Sequence, residues 1–306
     1  MSESGLYQPP WNFLGLDEKL ADRNRARVWI LPIPYESTTS YGAGTREGPS
    51  AIIAASRQVE QFDREFDCEP AERLGFHTLP PFGPLHRSPQ AMVEAVAAGV
   101  DELLSGSPGP ELLAILGGEH SISAGVARGL AKHAPEGQLV AVQIDAHADL
   151  RDQYEGCPYS HACAARRILD TCPVFQIGIR NISLGEESFR RNCPRVTTVF
   201  AEEIAADRPF LDELAAFVRG KWGYLTIDLD GLDPSIMPAV GTPEPDGLSW
   251  ADTLDIVRVL VRQAARVPVF DVVELAPIAG LRSPDFLAAR LVYKVASLVL
   301  LGQAAE

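Results

Sequence analysis

Residues 139–149 read LVAVQIDAHAD, six mostly apolar residues followed by Asp145, His147 and Asp149 at every second position. A short, continuous apolar run is typical of a strand that is covered on both faces of a parallel sheet. Acidic side chains are depleted in strands and are rarely buried without partners. Because alternate side chains of an extended segment point the same way, we expect these three to converge at the end of the strand.

The same alternation of apolar runs and helical patterns covers most of the chain. The runs predict eight strands, at residues 28–33, 74–79, 112–116, 139–144, 174–179, 196–200, 224–229 and 267–273. The patterns between them predict helices at residues 48–58, 89–104, 121–133, 161–170, 186–192, 208–220, 249–265 and 284–300. Such alternation indicates an α/β fold around a mainly parallel, eight-stranded sheet.

The domain organisation follows from the absence of a break in this alternation. The sequence of 306 residues contains no internal repeat and no convincing linker, so residues 27–306 are interpreted as a single domain. Residues 1–26 contain prolines, a tryptophan and many charges. For them we expect an irregular N-terminal arm that covers the domain or contacts another subunit.

Composition narrows the classes of function. The net charge of −14 argues against nucleic acid or an anionic membrane as the main partner. It suits metal ions or a small cationic molecule, although solubility alone also explains an acidic chain. The five cysteines form no C-x-x-C motif, which indicates reduced thiols. With no signal-peptide pattern and no apolar run of membrane-spanning length, we expect a cytoplasmic protein.

Residues of one chemical kind follow several of the predicted strands. The segment Gly117-Gly118-Glu119-His120 follows one strand, Asp228 and Asp230 end another, and Glu274 follows a third. Any single aspartate here is easily explained as a turn former or a helix cap. Their joint occurrence at several strand ends is not explained in this way. Parallel sheets bind ligands at the carboxyl ends of their strands, so the set indicates a binding site.

These residue types together indicate a metal centre. Four carboxylates cannot all stay ionised in a small dry site, because like charges at close range raise their pKa values. Two divalent cations would balance them, and two imidazoles complete a mixed oxygen and nitrogen ligand set. Such a set contains no thiolate, which disfavours structural zinc and suits Mn²⁺, ahead of Mg²⁺, Fe²⁺ or Co²⁺. Paired metal ions lower the pKa of a shared water, which then attacks at neutral pH.

Six motifs occur in order along the chain: GGEHS (117–121), DAHAD (145–149), SHA (160–162), DLDGLDP (228–234), VGTPEPDG (240–247) and VELAP (273–277). Together they resemble those of the ureohydrolases, the family of arginases and agmatinases. The stretch SYGAGTREGPSAII (40–53) also resembles a family segment near the pocket. The resemblance implies a three-layer α/β/α fold, a binuclear manganese centre and hydrolysis of a guanidino group to urea and an amine.

The resemblance also implies a role for individual residues. It places one Mn²⁺ on His120, Asp145, Asp149 and Asp228, and the other on His147, Asp145, Asp228 and Asp230. In this assignment Asp145 and Asp228 bridge the two ions. Asp149 is a ligand of one ion and is also counted among the catalytic residues. His161 resembles the family histidine that passes a proton to the departing amine. Glu274 resembles the carboxylate that binds the guanidinium, and Thr242 lines the same pocket in relatives.

The motifs also separate the substrates of the family. Arginases carry an asparagine two residues beyond their DAHTD motif and an aspartate after the next strand, where this chain has Arg151 and Ser183. The segments 145–167 and TPEPDG look instead like agmatinases, which predicts conversion of agmatine to putrescine in polyamine biosynthesis. An acid should meet the ammonium of agmatine, and Glu155 is the preferred candidate, ahead of Asp152 and Glu244.

Other interpretations stay open at this point. Aminopropylagmatine fits the same argument, and arginine or a guanidino acid would need Arg151 or Arg180 to meet its carboxylate. A non-catalytic, polyamine-binding homologue is a further alternative, as is another binuclear hydrolase such as a phosphoesterase. By analogy with the family we expect a homo-oligomer, either a trimer or a hexamer, that acts on a small cationic guanidine.

Overall fold

The computed structural model describes residues 10–85, 87–204 and 209–302. Eight strands form its sheet: β1 (Val28–Ile33), β2 (Phe76–Thr78), β3 (Leu112–Gly117), β4 (Leu139–Ile144), β5 (Val174–Ile179), β6 (Val196–Phe200), β7 (Trp222–Asp228) and β8 (Arg266–Val273). Their order in the sheet is β2-β1-β3-β8-β7-β4-β5-β6. Every neighbouring pair is parallel, as the strand–helix alternation predicts.

The helices lie between the strands in sequence. They are α1 (Glu18–Ala21), α2 (Gly48–Ser56), α3 (Pro70–Leu74), α4 (Pro89–Ser105), α5 (Ser123–Ala131), α6 (Ala164–Leu169), α7 (Leu184–Asn192), α8 (Phe210–Val218), α9 (Trp250–Gln263) and α10 (Ser283–Leu301). No helix among the residues described is long and apolar enough to cross a membrane.

The sheet is covered on both faces, because alternate residues of each strand enter different cores. Val28 and Ile30 of β1 belong to the core that contains residues of α2, α8, α9 and α10. Trp29 and Leu31, between and after them, belong to the core that contains residues of α4, α5 and α6. The predicted three-layer α/β/α architecture is therefore confirmed.

Two departures from the sequence-based boundaries have local causes. Residues 74–79 form only the short strand β2, because α3 occupies Pro70–Leu74 and ends at Gly75, whose φ of +64° suits glycine. Strand β7 ends at Asp228, one residue earlier than expected. There the Asp228 carboxylate accepts a hydrogen bond from the backbone N–H of Asp230 at 2.9 Å and begins a 3-10 turn.

Part of the expected N-terminal arm packs into the domain. Phe13 and Leu14 are buried in the same core as α2 and α10. The ring of Phe13 lies 5.8 Å from that of Phe76 in β2, measured between centroids. Residues 1–9 of the expected arm lie outside the described residues.

A buried ion-pair network fastens the segment after α2 to the last helix. Lys294 of α10 lies 2.7 Å from an Asp63 carboxylate oxygen and 2.8 Å from one of Glu65. Arg258 of α9 reaches the same Glu65 at 2.9 Å. Lys294 and Asp63 are both buried, so their pairing compensates two charges that the core would otherwise leave unpaired.

The strand order determines where the motifs meet. Strands β3, β8, β7 and β4 are consecutive neighbours, and each carries acidic or histidine residues at or just beyond its carboxyl end. All four ends lie at one edge because the strands are parallel. The fold therefore brings the motifs of four separate sequence regions to a single place.

Candidate active site

His120 is presented by a tight connection after β3. The backbone N–H of Gly118 bonds to the Ile33 carbonyl at 2.9 Å, and that of Glu119 bonds to the Tyr35 carbonyl at 2.9 Å. A Cβ atom on Gly118 would lie 2.0 Å from the Tyr35 carbonyl oxygen, so only glycine fits here. This close approach fixes the direction in which His120 leaves the strand.

The ring of His120 has different surroundings at its two nitrogens. Nε2 lies 3.0 Å from the Thr226 hydroxyl, which in turn donates to the buried Asp271 at 2.6 Å. Nδ1 lies 3.1–3.2 Å from carboxylate oxygens of three aspartates, Asp145, Asp149 and Asp228. Although it is buried, Nδ1 makes no hydrogen bond to any described residue. A ring nitrogen without a hydrogen bond, surrounded by carboxylate oxygens, fits a cation ligand.

A second group of the same kind adjoins the first. Nδ1 of His147 lies 2.9 Å from an Asp230 oxygen and 3.8 Å from an Asp145 oxygen. Asp145, His147 and Asp230 each offer a ligand atom within 4.8 Å of the others, and so do His120, Asp145 and Asp149. Because Asp145 belongs to both groups, the residues fit two adjacent cations.

The charges in this cluster strongly perturb one another. Burial, followed by repulsion from Asp230 and Asp145, raises the pKa of Asp228 well above its ordinary value. Burial and the charge of Asp145 raise the pKa of Asp149 to about 7. Burial lowers the pKa of His147, but Asp230 outweighs it and raises that pKa to about 10. Without cations, the cluster would therefore keep protons that divalent ions can replace.

The DAHAD motif reaches this geometry by turning, not by continuing the strand. Strand β4 ends at Ile144, and the Ala146 carbonyl accepts bonds from the backbone N–H groups of Arg180 and Asn181. Asp149 adopts a left-handed φ of +50°. The three side chains converge as predicted. They do so through this turn, and not in the extended conformation from which the convergence was predicted.

Glu274 follows β8 and faces the cluster. Its carboxylate accepts a hydrogen bond from the backbone N–H of His120 at 2.6 Å. Burial raises the pKa of Glu274 well above its ordinary value. Its φ of +67°, like that of Asp149, is uncommon for a residue with a side chain, and such backbone strain is concentrated at functional sites.

His161 lies at the start of a 3-10 turn before α6. Its Nδ1 is 3.3 Å from the Thr38 hydroxyl and 3.2 Å from the Ser160 hydroxyl. The ring of Tyr154 approaches it edge-on at 6.0 Å. Burial lowers the pKa of His161. The charge of Glu119 has the opposite, smaller effect, because it favours the protonated ring. Imidazole is the side chain whose ordinary pKa lies nearest to neutral pH.

One cavity of about 200 Å³ connects these groups. His120, His147, Asp149, Asp228, Asp230, His161, Thr242 and Glu274 all line it, and Asp145 lies directly beneath, fully buried. The segment Thr39–Gly42 forms one wall, consistent with the resemblance of residues 40–53 to a pocket segment. There Gly42 meets Gly241 so closely that a Cβ atom on Gly42 would lie 2.6 Å from the Gly241 carbonyl oxygen.

The three acids expected to meet the substrate's amine differ in how close they lie to the cavity. Glu155, the preferred candidate, is exposed and is not among the residues that line the cavity. Asp152 is exposed and pairs with Arg166 and Arg167. Glu244 is nearer to the cluster of histidines and aspartates. Its Oε1 accepts a hydrogen bond from Asn181 at 2.6 Å and lies 3.9 Å from His147 Nε2.

The two arginines considered for a carboxylate have different surroundings. Arg151 lines the cavity, with its Nε 3.7 Å from the buried carboxylate of Glu186. Arg180 donates to the backbone carbonyls of Gly178, Asp230 and Glu244, at 3.0, 2.7 and 2.8 Å. Arg180 thus ties loops together through backbone carbonyl groups.

Sequence reasoning missed several residues around the cavity. Tyr154, Asn181 and Glu186 line it, and Glu119 and Thr38 support His161 from behind. Glu119 stands inside the GGEHS motif, which is a signal that could have been used. Thr38 gives no signal in the sequence, because its position beside His161 depends on a contact between residues 123 positions apart.

Residues 26–297 match the family described as the arginase family. The chain belongs to the arginase family. An N(1)-aminopropylagmatine ureohydrolase from Synechocystis sp. is 38% identical over 275 residues, which is 88% of each chain. The agmatinase of Halalkalibacterium halodurans is 31% identical over 259 residues, or 83% of this chain and 85% of that one.

Solved structures agree with this assignment. The agmatine ureohydrolase of Thermoplasma volcanium matches with a TM-score of 0.78 at 27% identity, over 95% of both chains. The predicted membership of the ureohydrolase family and the predicted arginase-like fold are therefore confirmed.

Proposed function

We propose that this arginase-family protein is a binuclear ureohydrolase that cleaves the guanidino group of agmatine or of its N1-aminopropyl derivative. The products would be urea and an amine. The observation that carries the proposal is the buried Nδ1 of His120, which makes no hydrogen bond and faces three carboxylates beside a second, similar group around His147.

The residues that would hold the metal ions form two sets. One set is His120, Asp145, Asp149 and Asp228, and the other is His147, Asp145, Asp228 and Asp230. Carboxylate and imidazole ligands without thiolate favour Mn²⁺ over a structural zinc ion. Two bound divalent ions would lower the pKa of a shared water so that it can attack the guanidinium carbon at neutral pH.

Glu274 is the residue we assign to the guanidinium. It lines the cavity beside the cluster, and its buried carboxylate is fixed by the backbone N–H of His120. A carboxylate and a planar guanidinium form paired, charge-assisted hydrogen bonds, which hold the cation in one plane. Glu274 would thus orient the guanidinium carbon toward the metal ligands.

His161 is the residue we assign to the departing nitrogen. It lines the same cavity but is not part of either ligand group. An amine leaves poorly as its anion, so a proton must reach it as the C–N bond breaks. An imidazole is the side chain best suited to deliver a proton near neutral pH.

The tail of the substrate distinguishes agmatine from its N1-aminopropyl derivative. The sequence motifs favour agmatine, whereas the relative at 38% identity is named for aminopropylagmatine and the one at 31% for agmatine. Both substrates carry a cationic tail, and Glu244 and Glu186 are the acids near the cavity that can meet it. A homo-oligomer and a cytoplasmic location stay predictions.

A urea assay tests the proposal. Purified protein is loaded with Mn²⁺, its metal content is measured by elemental analysis, and urea release is followed with agmatine, N1-aminopropylagmatine, arginine and 4-guanidinobutyrate. We expect urea from the first two substrates at rates at least about tenfold above the others, since Glu244 and Glu186 attract a cationic tail and repel the carboxylate that the other two carry. Protein that retains both ions and releases urea from none of the four would overturn the proposal.

A further inference from the structure

Behind His161 lies a buried carboxylate that the reaction described so far does not use. Glu119 has no solvent-exposed surface and, among the described residues, forms no ion pair. One oxygen accepts the backbone N–H groups of Ser37 and Thr38 at 2.5 and 2.7 Å. The other accepts the hydroxyls of Thr38 and Ser121 at 2.7 and 2.6 Å. Burying a carboxylate without a cation is costly, so its retention needs a reason.

The Thr38 hydroxyl connects this carboxylate to His161. A hydroxyl has one proton to donate, and the charged acceptor Glu119 at 2.7 Å competes for it with the imidazole at 3.3 Å. The shorter, charge-assisted bond wins, so the Thr38 oxygen is left as an acceptor. It already accepts the backbone N–H of His161 at 2.9 Å. Its second lone pair is then placed to accept a proton from His161 Nδ1.

We propose that Glu119 and Thr38 are positioning residues that hold the proton of His161 on Nδ1 and so leave Nε2 to carry the transferable proton. This inference rests on the proposed ureohydrolase function. The logic is that of a carboxylate that fixes the tautomer of a catalytic histidine, with a hydroxyl placed between the two groups. Thr38 is not among the residues that line the cavity, so it acts through His161 and not on the substrate.

The proton balance of the step is simple. The protonated His161 ring gives its Nε2 proton to the departing nitrogen, which keeps the electron pair of the breaking C–N bond. The ring is left neutral with its other proton on Nδ1, where Thr38 accepts it. The proton given up is replaced from the water that the reaction consumes. The negative charge of Glu119, one hydroxyl away, stabilises the protonated ring throughout.

A double-mutant cycle tests the inference by activity. Thr38→Val removes the hydroxyl at nearly constant volume, and Thr38→Ser keeps it. In the Mn²⁺-loaded protein we expect Thr38→Val to lower kcat by roughly 10- to 100-fold with KM almost unchanged, since general acid catalysis contributes about that much. Thr38→Ser should stay within about threefold of wild type, because the hydroxyl is what the argument requires.

Two comparisons separate a positioning role from simple damage. In a His161→Asn background, Thr38→Val should cause no further loss of kcat, whereas an equal loss in both backgrounds would overturn the inference. Ser160→Ala is the matched control, because its hydroxyl is also 3.2 Å from Nδ1 but hydrogen-bonds to no described carboxylate. If Ser160→Ala reproduces the loss and Thr38→Val does not, Ser160 and not Thr38 holds the ring.

A spectroscopic readout is independent of catalysis. Long-range ¹H–¹⁵N spectra of Zn²⁺-loaded protein, in which the metal is diamagnetic, report the tautomer of each histidine. The His161 signal is assigned by its loss in His161→Asn. We expect an Nδ1 proton in the wild type and a shift of the proton toward Nε2 in Thr38→Val. An unchanged tautomer overturns the inference even if urea release is normal, whereas absent urea release with the expected tautomer overturns only the proposed function.

Discussion

Single atoms carry much of the evidence for the metal centre. At His120, one ring nitrogen bonds to the Thr226 hydroxyl, which itself donates to Asp271, and the other nitrogen faces three carboxylates. Such a hydrogen bond on the distal nitrogen fixes both the ring orientation and the tautomer of a metal-binding histidine. At His147, Nδ1 likewise faces the cluster, 2.9 Å from an oxygen of Asp230.

Asp230→Asn is expected to weaken the second cation site selectively. The amide keeps the size of the side chain but loses the charge that Asp230 places beside His147 and Asp145. We expect elemental analysis to show loss of one of the two ions after dialysis, with an affinity for that ion lower by about tenfold or more. Asp152→Asn, an exposed carboxylate with the same change in charge, is the control and should keep both ions. Full retention by Asp230→Asn would contradict the ligand assignment.

The residues of the site differ in how far the sequence could predict them. The proposed metal ligands could be predicted because they stand at strand ends, which apolar runs locate well. The expected role of Glu155 depended instead on the path of a long loop, and the loop turns at Glu155 with a φ of +48° and leaves its side chain exposed. No local pattern in the sequence encodes which side of a loop faces a cavity.

At the scale of elements, packing decides what the sequence can predict. Strands β4 and β5 begin and end where the apolar runs do, because both their faces are covered. Helix α3, with only five residues, was missed, since a helix shorter than two turns shows no periodicity. The turn of residues 145–149 was also missed, because it depends on backbone hydrogen bonds from Arg180 and Asn181, more than 30 residues away.

The attachment of α10 to the segment after α2 gives a prediction for stability. In Lys294→Met the buried Asp63 would lose its cation, and removing one partner of a buried pair leaves an uncompensated charge. We expect the free energy of unfolding, measured with urea, to fall by about 3 kcal/mol. Lys19→Met, at an exposed position, should change it by less than about 0.5 kcal/mol. Equal effects of the two substitutions would show that the network contributes nothing.

The same network should make stability depend on pH in a defined range. The hydrogen bond from Arg258 lowers the pKa of Glu65 from 4.5 to about 2. Burial opposes this shift, and Lys294 adds to it. A carboxylate with a depressed pKa stabilises the fold above its unfolded pKa and loses that effect as pH falls through its folded value. The contribution of Glu65 is therefore full above pH 4.5 and disappears toward pH 2. Glu65→Gln should lower stability at pH 7 and should converge with wild type near pH 2.

For the whole molecule, we expect the binding of cations by the acidic cluster to increase the stability of the fold. The chain carries a net charge of −14, and four of its buried carboxylates meet at one edge of the sheet. A ligand that binds the folded chain but not the unfolded one stabilises it by mass action. Mn²⁺ at about 100 times its dissociation constant should thus add about 2.7 kcal/mol, seen as a rise in Tm that EDTA reverses. A Tm that is insensitive to both would contradict cation binding in the folded state.

The contact between Gly42 and Gly241 has a consequence for the choice of substrate. These residues are 199 positions apart in sequence, yet their main chains touch with no side chain between them. The cavity wall at that point is consequently formed by peptide groups, which the replacement of side chains cannot reshape. Replacing a bulky residue elsewhere along the rim can admit a longer amine, but a guanidine with a branched tail would have to displace two loops together. The backbone of the fold, more than any one side chain, then limits the width of the substrate tail.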